Sequence, residues 1–223
     1  MKRTLPIEAV VFDLDGTLLD SLPLVLRAFQ HALEPFGGRP TMETFAMLGG
    51  PPEKIFAGLI ADPRDVPAAL RRLHDYHGWH PELIQPFDGA ISLLQNLQAR
   101  RIKLGVWTGR DRSSAASLLQ LHDMEKFFSA IVCGDDLSSH KPDPAGLNQI
   151  LLTLQVDAAC TLFIGDADVD VIGGSLLSVD TLIITHARAL DAEIRRQAAD
   201  VVRAPADAYA WVMDRAMGSS AEV

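Results

Sequence analysis

The chain has 223 residues and carries 20 lysines and arginines against 29 aspartates and glutamates, which gives a formal net charge of −9 at pH 7. This acidic balance argues against a surface that binds nucleic acid or an anionic membrane, because either would need a positive electrostatic field. The hydrophobic share of 48% and the charged share of 22% are ordinary for a globular protein with a well-buried core.

The cellular location is inferred from what the sequence lacks. The opening residues, MKRTLPIEAVVF, contain no apolar segment typical of a secretory signal, and no later apolar run approaches membrane-spanning length. The two cysteines, Cys133 and Cys160, are too few for a disulfide framework. We therefore expect a cytoplasmic protein, a monomer or a homodimer, with neither a membrane nor a nucleic acid as partner.

Short apolar runs and longer amphipathic stretches alternate along the chain. The predicted strands are the runs at 9–12, 103–108, 130–134, 161–165 and 181–185. Near-continuous apolar runs are typical of strands that are buried on both faces. The stretches between them, such as AISLLQNLQARR and AGLNQILLTLQV, repeat their apolar residues with helical spacing. This alternation predicts an α/β fold with a doubly wound parallel sheet.

One interval, from Asp20 to about Ile84, interrupts the alternation with helical patterning and no predicted strand. It begins with a helical apolar face, then has a Gly-Pro turn in LGGPPEKIF that leads into a second helix, and VPAALRRLHDYHGWH predicts a third. We therefore predict a core domain of residues 1–19 and 85–223, with an inserted helical domain of residues 20–84.

Small polar and acidic residues follow the predicted strands at the point where each strand ends. They are Asp13, then Thr108 and Gly109, then Asp135 and Asp136 behind Gly134, and finally Asp166. In an open parallel sheet these ends border the crevice where ligands bind. Clustered carboxylates repel one another unless a cation lies among them, and carboxylate oxygens suit Mg²⁺. The sequence therefore predicts a Mg²⁺ site at this edge of the sheet.

Four segments resemble, in order, the motifs of the haloacid dehalogenase superfamily. DLDGTLLDS is similar to the first motif in its Asp-x-Asp phosphatase form, GVWTGR to the second, HKPDP to the third and IGDADVD to the fourth. The resemblance covers residues 5 to about 185. It implies a Rossmann-like core domain, a small helical cap formed by the inserted helices, and phosphoryl-transfer chemistry.

The resemblance also implies roles for individual acids. Asp13 would be the nucleophile that forms an aspartyl-phosphate, and Asp15 the general acid and base for the leaving oxygen and for water. Mg²⁺ would be held by the carboxylates of Asp13 and Asp166 and by the backbone carbonyl of Asp15. Asp170 would be a further ligand or would support one.

The phosphate group itself needs positive charge and hydrogen-bond donors. By the same resemblance, Lys141 in the third motif would neutralise the phosphoryl group, and Thr108 with the backbone N–H of Gly109 would hold phosphate oxygens. The residues that would choose the substrate are less marked in the sequence. The candidates are Gly49, Gly50, Lys54 and Arg110, and for Lys54 and Arg110 a solvent-facing position is the alternative.

The function implied is a Mg²⁺-dependent phosphatase acting on a small phosphorylated metabolite, either a phosphoglycolate-like ester or a sugar phosphate. Two alternatives stay open. A sugar phosphomutase of the same superfamily would share every motif, and a catalytically silent relative would use the fold for binding only. Dehalogenase and phosphonate-cleaving chemistry are disfavoured, because those branches lack an acid at the position of Asp15.

Overall fold

The computed structural model describes residues 5–41, 52–76, 80–186 and 188–218, with residues 52–54 described at the level of the backbone. The chain divides into two units. One unit contains Met1–Asp20 and Gln85–Val223, and the other contains Ser21–Ile84. The chain leaves the first unit after Asp20 and re-enters it at Gln85.

The first unit is built on a parallel sheet. Its strands in chain order are β1 (Ala9–Phe12), β4 (Lys103–Trp107), β5 (Ala130–Val132), β6 (Thr161–Gly165), β7 (Asp180–Ile184) and β8 (Asp200–Val202). They are arranged in the order β5-β4-β1-β6-β7-β8, and every neighbouring pair is parallel. A separate antiparallel pair joins β2 (Leu19–Asp20) to β3 (Gln85–Pro86). The predicted doubly wound α/β fold is confirmed.

Helices cover both faces of this sheet. The helices of the first unit are Ala90–Ala99, Arg112–Leu121, Ala145–Leu154, Asp168–Leu176, Ala192–Gln197 and Pro205–Gly218. All four residues of β1 are fully buried, although successive side chains of a strand point to opposite faces. Ala9 and Val11 pack in one cluster with the helix Ala145–Leu154. The near-continuous apolar runs in the sequence therefore reflect a sheet that is buried on both sides.

The second unit is helical throughout its described part. Its α-helices are Leu22–Leu33, Pro52–Leu59 and Val66–His74, with short 3₁₀ turns at Glu34–Phe36, Pro63–Asp65 and Pro81–Leu83. They share a core in which the rings of Phe29 and Phe56 meet edge-on, with centroids 4.9 Å apart. The first helix ends before Pro35 because proline has no N–H to continue the helical hydrogen bonds.

Several boundaries differ from the sequence-based prediction. The third helix of the second unit ends at His74 rather than near residue 80. The strands β2, β3 and β8 are absent from the prediction, because runs of two or three residues carry too little periodicity to be recognised. Asp20 belongs to the first unit, since it pairs with Gln85 across β2 and β3. Among the described residues, none of the helices is both long and apolar enough to span a bilayer.

Candidate active site

Three adjacent strands of the sheet are each followed by a residue that the sequence analysis assigned to the site. β1 lies between β4 and β6, so the residues that follow these strands, Asp13, Thr108 and Asp166, emerge at one edge of the sheet. The backbone N–H of Asp13 donates to the carbonyl of Ile164 (2.8 Å), which continues the ladder one residue beyond the strand. The positions of these residues are therefore set by the sheet itself.

Three carboxylates form a cluster at this edge. One oxygen from each of Asp13, Asp166 and Asp170 lies within 4.8 Å of the others. Two glycines permit this approach. A Cβ at Gly16 would lie 2.2 Å from Oδ2 of Asp166, and a Cβ at Gly165 would lie 2.3 Å from Oδ2 of Asp170. Gly16 also has φ of +75°, a conformation that favours glycine.

Lys141 binds two of these carboxylates at once. Its Nζ donates to Oδ1 of Asp13 (2.6 Å) and to Oδ1 of Asp170 (2.7 Å). Its side chain is only 9% exposed and lies beside two aromatic rings, with Nζ 4.9 Å from the centroid of Trp107 and 5.4 Å from that of Phe163. Aromatic faces attract a cation and exclude water from it. The ammonium is therefore fixed by charge and by packing.

Asp170 uses both carboxylate oxygens within the protein. While Oδ1 accepts from Lys141, Oδ2 accepts from the backbone N–H groups of Asp166 (3.2 Å) and Ala167 (3.0 Å). The side chain is 1% exposed. Asp170 thus connects Lys141 to the loop that contains Asp166. Because both of its carboxylate oxygens already accept hydrogen bonds, Asp170 is better suited to support this loop than to be a metal ligand.

Burial and mutual repulsion change the acidity of the cluster. Burial raises the pKa of Asp13 well above its usual range; the charge of Lys141 opposes this, and Asp170 and Asp166 add to it. Burial, followed by the charge of Asp170, raises the pKa of Asp166 to about 7. For Lys141, burial alone would lower the pKa, but the charges of Asp13 and Asp170 raise it above its usual value. The carboxylates therefore need more positive charge than Lys141 supplies.

This donor set fits a divalent cation. Carboxylate oxygens that lie within 4.8 Å of one another are the hard ligands that Mg²⁺ prefers, and the charge of such an ion would relieve the repulsion between these groups. The carboxylates of Asp13 and Asp166 are the first candidates for metal ligands, because both carboxylate oxygens of Asp170 already accept hydrogen bonds.

The side chain of Asp15 lies outside this cluster and pairs with Arg110. Its Oδ2 accepts from Nε (2.9 Å) and its Oδ1 from Nη2 (2.5 Å) of the guanidinium. The Asp15 side chain is 32% exposed and that of Arg110 is 15% exposed. The two residues are 95 positions apart in the sequence, and sequence reasoning did not connect them.

Thr108 and Gly109 lie where a phosphate oxygen could approach. Thr108 is 2% exposed, and its Oγ1 accepts from the backbone N–H of Arg110 (3.1 Å), which leaves its own hydroxyl proton to donate. A Cβ placed on Gly109 would meet no heavy atom within 4 Å among the described residues. The backbone of Gly109 therefore borders open space.

The acids at the end of β5 do not join the cluster. Asp135 accepts from the backbone N–H of Arg112 (2.8 Å), and Asp136 pairs with the Arg112 guanidinium. β5 is the edge strand and is separated from β1 by β4. The expectation that every strand end contributes to one site is therefore too broad, because only the central strands lie close enough.

Four residues at the site were not predicted from the sequence. Trp107 and Phe163 flank Lys141. His186 donates from Nε2 to the carbonyl of Gly16 (2.6 Å), and Arg188 donates to the carbonyl of Asp166 (2.9 Å) and pairs with Asp168. The available signals were an aromatic residue directly before Thr108 and a His and an Arg within four residues of the end of β7. Their contacts, however, depend on the packed fold.

Three of the proposed specificity residues cannot be placed. Gly49 and Gly50 lie outside the described residues, and so does the side chain of Lys54, whose backbone belongs to the helix Pro52–Leu59. Arg110 is the candidate from that group whose contacts are described.

Comparison with known proteins agrees with this arrangement. The profile of the haloacid dehalogenase-like hydrolase family matches residues 10–184. The pyrophosphatase PpaX of Halalkalibacterium halodurans is 30% identical over 183 residues, which cover 81% of this chain and 85% of that protein.

Solved structures share the fold over nearly the whole chain. A Thermotoga maritima protein provisionally assigned as a beta-phosphoglucomutase has a TM-score of 0.73 and 25% identity, with 93% of this chain and 99% of that chain covered. A Lactobacillus plantarum protein provisionally assigned as a phosphoglycolate phosphatase has a TM-score of 0.71 and 22% identity, with 95% and 100% covered. The chain therefore belongs to the haloacid dehalogenase-like hydrolase family and is an enzyme of its phosphatase type.

Proposed function

We propose that the protein is a Mg²⁺-dependent phosphatase that hydrolyses a small phosphorylated metabolite through an aspartyl-phosphate on Asp13. The observation that carries the proposal is the buried Lys141, which binds Asp13 at 2.6 Å and Asp170 at 2.7 Å beside the carboxylate of Asp166. This arrangement supports the proposed roles of Asp13 as the nucleophile, Lys141 as the fixed cation and Asp166 as a hard oxygen ligand. Phosphoryl transfer requires little beyond such positioning and charge neutralisation.

In the first step a carboxylate oxygen of Asp13 attacks phosphorus, and the bond from phosphorus to the leaving oxygen breaks. Lys141 holds the attacking carboxylate in place and offsets charge on the phosphoryl oxygens. Thr108 donates its hydroxyl and Gly109 its backbone N–H to those oxygens. Asp15 gives its proton to the leaving oxygen.

In the second step a water molecule attacks the phosphorus of the aspartyl-phosphate. Asp15, now ionised, takes a proton from that water, and the bond between phosphorus and Asp13 breaks to release inorganic phosphate. Asp13 and Asp166, together with the backbone carbonyl of Asp15, would hold Mg²⁺, which when bound supplies charge neutralisation and orients the phosphate. Asp170 supports this set by holding Lys141 and the Asp166 loop.

The substrates to consider first are 2-phosphoglycolate, sugar phosphates and pyrophosphate. The first two follow from the resemblance of the motifs and from the provisional assignments of the fold relatives. Pyrophosphate is added by the name of the PpaX relatives, several of which are close to 30% identical to this chain.

We also propose that the helical unit Ser21–Ile84 serves as a cap that excludes water during the reaction. Its insertion between β2 and β3 and its separate apolar core support this role. A cytoplasmic location is proposed as well, since Cys133 and Cys160 are both free thiols, as is usual in a reducing compartment.

The experiment measures phosphate release from a panel of phosphoesters and pyrophosphate, with Mg²⁺ and with EDTA, followed by acid quenching and mass spectrometry to detect phosphate on Asp13. We expect Mg²⁺-dependent turnover that falls by about 10³-fold or more in Asp13→Asn, because no other group replaces the nucleophile. Asp123→Asn, which alters an exposed ion pair with Lys126, is the matched control and should retain activity.

The same experiment separates the alternatives. A phosphomutase is favoured by the fold relative assigned as a beta-phosphoglucomutase; it would convert a sugar phosphate into its isomer with little free phosphate, which ³¹P NMR distinguishes. Absence of turnover with every compound would favour a silent binding protein.

A further inference from the structure

Two side chains that follow β7 contact the loops that would hold Mg²⁺. The imidazole Nε2 of His186 donates to the carbonyl of Gly16 (2.6 Å), and Nη2 of Arg188 donates to the carbonyl of Asp166 (2.9 Å). Gly16 directly follows Asp15, and Asp166 directly follows β6. Each of these two loops is therefore tethered by a residue that lies outside the four sequence motifs.

The first tether acts on a residue whose own backbone preferences restrict it little. Gly16 has no side chain, and its φ is +75°. Its N–H donates to the carbonyl of Leu19 (2.8 Å), and this N–H belongs to the same planar peptide unit as the carbonyl of Asp15. Because His186 binds the next carbonyl, the peptide units on both sides of Gly16 are held. The direction of the Asp15 carbonyl, a proposed ligand of Mg²⁺, is thereby set.

The second tether holds the backbone of Asp166 in a similar way. The N–H of Asp166 donates to Oδ2 of Asp170 (3.2 Å), and its carbonyl accepts from Arg188 (2.9 Å). The same Nη2 of Arg188 also donates to Oδ1 of Asp168 (2.6 Å), which holds the guanidinium from its other side. These three hydrogen bonds fix Asp166 through its backbone and do not occupy the oxygens of its carboxylate.

Both tethers start from one short segment that the sheet anchors. Thr185 directly follows β7 and is buried, and its N–H donates to the carbonyl of Val202 at the end of β8 (2.9 Å). The N–H of Arg188 donates to the carbonyl of Thr185 (2.8 Å). The ring of His186 stacks on that of Phe87, with centroids 5.7 Å apart. The two donors are therefore held at a fixed separation, and so are the two loops that they bind.

We propose that His186 and Arg188 are positioning residues that set the affinity for Mg²⁺, because they hold the Asp15 carbonyl and the Asp166 carboxylate at the separation that one ion requires. The inference rests on the proposed function, since it takes these two groups as ligands of Mg²⁺. Mg²⁺ demands near-ideal octahedral geometry, so a small displacement of its ligands weakens binding. Residues that orient ligands without touching the metal typically change its affinity by about 10–100-fold.

The sign of the effect at Arg188 separates positioning from charge. A guanidinium near the site repels Mg²⁺, and its removal would also take the counter-charge from Asp168. If Arg188 acted through its charge alone, Arg188→Met would therefore strengthen Mg²⁺ binding. If Arg188 positions Asp166, the same substitution weakens Mg²⁺ binding.

The test measures Mg²⁺ binding to the metal-free protein by isothermal titration calorimetry at pH 8, without substrate. We expect the Kd for Mg²⁺ to rise about 10-fold in His186→Met and in Arg188→Met. His186→Gln should stay within about twofold of the wild-type Kd, because its amide N–H can donate in place of Nε2. Arg196→Met, which removes an exposed ion pair with Glu193, is the control for loss of one positive charge and should leave the Kd unchanged.

Kinetics with p-nitrophenyl phosphate separate an effect on the metal from an effect on the substrate. The Mg²⁺ concentration that gives half of the maximal rate should rise about 10-fold in His186→Met and Arg188→Met. The KM for the ester and the kcat at saturating Mg²⁺ should stay close to the wild-type values. Residues needed only for folding would instead lower the Tm of the metal-free protein and leave the Mg²⁺ requirement unchanged.

Weaker Mg²⁺ binding by both variants, with circular dichroism like that of the wild type, supports the proposal. If Arg188→Met does not fold, Arg188→Lys replaces it and should also weaken binding, because lysine keeps the charge and lacks the planar fork. An unchanged or lower Kd overturns the proposal for the residue concerned, and Mg²⁺-dependent phosphate release by the wild type then leaves the phosphatase function intact. A wild type that neither binds Mg²⁺ nor releases phosphate overturns the proposed function and this inference with it.

Discussion

Two of the ion-pair arrangements at the site, that of Lys141 and that of Arg110, differ in depth and in what surrounds them. Lys141 is enclosed by Asp13, Asp170 and two aromatic rings, and none of the three charged side chains is more than 10% exposed. The pair of Arg110 and Asp15 is partly open to solvent, with Asp15 at 32%. Removing one member of a buried network lowers the free energy of unfolding by several kcal/mol, about 3–5, whereas removing one member of a partly exposed pair lowers it by much less. We therefore expect the two arrangements to contribute unequally to the stability of the fold.

Removing each cation in turn is the strongest way to break this comparison. Lys141→Met should lower the free energy of unfolding by about 3–5 kcal/mol at pH 8, because it leaves two buried carboxylates without their counter-charge. Arg110→Met should lower it by no more than about 1 kcal/mol, because Asp15 can be hydrated instead. Urea unfolding of both variants without added metal measures the two values. Equal losses would show that the two arrangements do not differ in the proposed way.

A substitution at Gly16 tests how closely the buried cluster is packed. Gly16→Ala should lower the free energy of unfolding by about 2–3 kcal/mol, since it combines an unfavourable positive φ with a Cβ placed 2.2 Å from Oδ2 of Asp166. Gly37→Ala is the matched control, because Gly37 has φ of +73° and no heavy atom within 4 Å of the added Cβ among the described residues. This variant should lose only the free energy that the positive φ costs an alanine, about 1 kcal/mol. Thermal unfolding of both variants gives the difference that belongs to the carboxylate contact.

The pH dependence of stability sharpens the comparison further, with a smaller effect. The pKa of Asp166 is raised to about 7 from its usual 3.8, so between these values the folded chain binds more protons than the unfolded one. Stability must therefore decrease as pH rises through this window. Without metal we expect Tm to fall by about 5 °C from pH 5 to pH 8.

Two changes should reduce that fall. Mg²⁺ at pH 8 should raise Tm, since it favours the ionised carboxylates. Asp166→Asn should make the fall smaller without abolishing it, because it removes one titrating group while Asp13, whose pKa burial also raises, remains. Asp62→Asn, at an exposed pair in the helical unit, should leave the profile unchanged. Differential scanning calorimetry across this pH range decides; a Tm that rises toward pH 8 in the metal-free protein would contradict the assigned direction.

Much of the fold was predictable because the relevant signals are local. A fully buried parallel strand needs apolar residues at every position, so runs such as AVVF and TLFIG mark their own strands, and both are strands in the structure. The acids that follow these strands inherit their places from the sheet. Asp13 and Asp166 therefore lie close together, as expected. They are 153 residues apart in the sequence, and no local pattern indicates a contact over such a separation.

The rest of the site depends on side-chain packing between distant segments. Nothing in the motif HKPDP states that Lys141 lies against Trp107 and Phe163, and the motif GVWTGR leaves open whether Arg110 faces the substrate or solvent. The reason why certain positions must be glycine is likewise not readable from the sequence. Gly173 and Gly146 leave space for the ring of Trp107, whose atoms would lie 2.7 Å and 2.3 Å from an added Cβ. The requirement for glycine at these two positions follows from the packed ring and from no local pattern.

The sequence by itself determined five of the six strands of the parallel sheet and the positions of the acids at the strand ends. It did so because hydrophobic periodicity and turn residues act over a few neighbouring positions. The family came from the resemblance of four short motifs. The tertiary structure alone decided which charges pair, with Lys141 between Asp13 and Asp170 and Arg110 on Asp15. Charge pairing is set by distance in space, and the chain reveals that distance only when the sheet has brought its strand ends together.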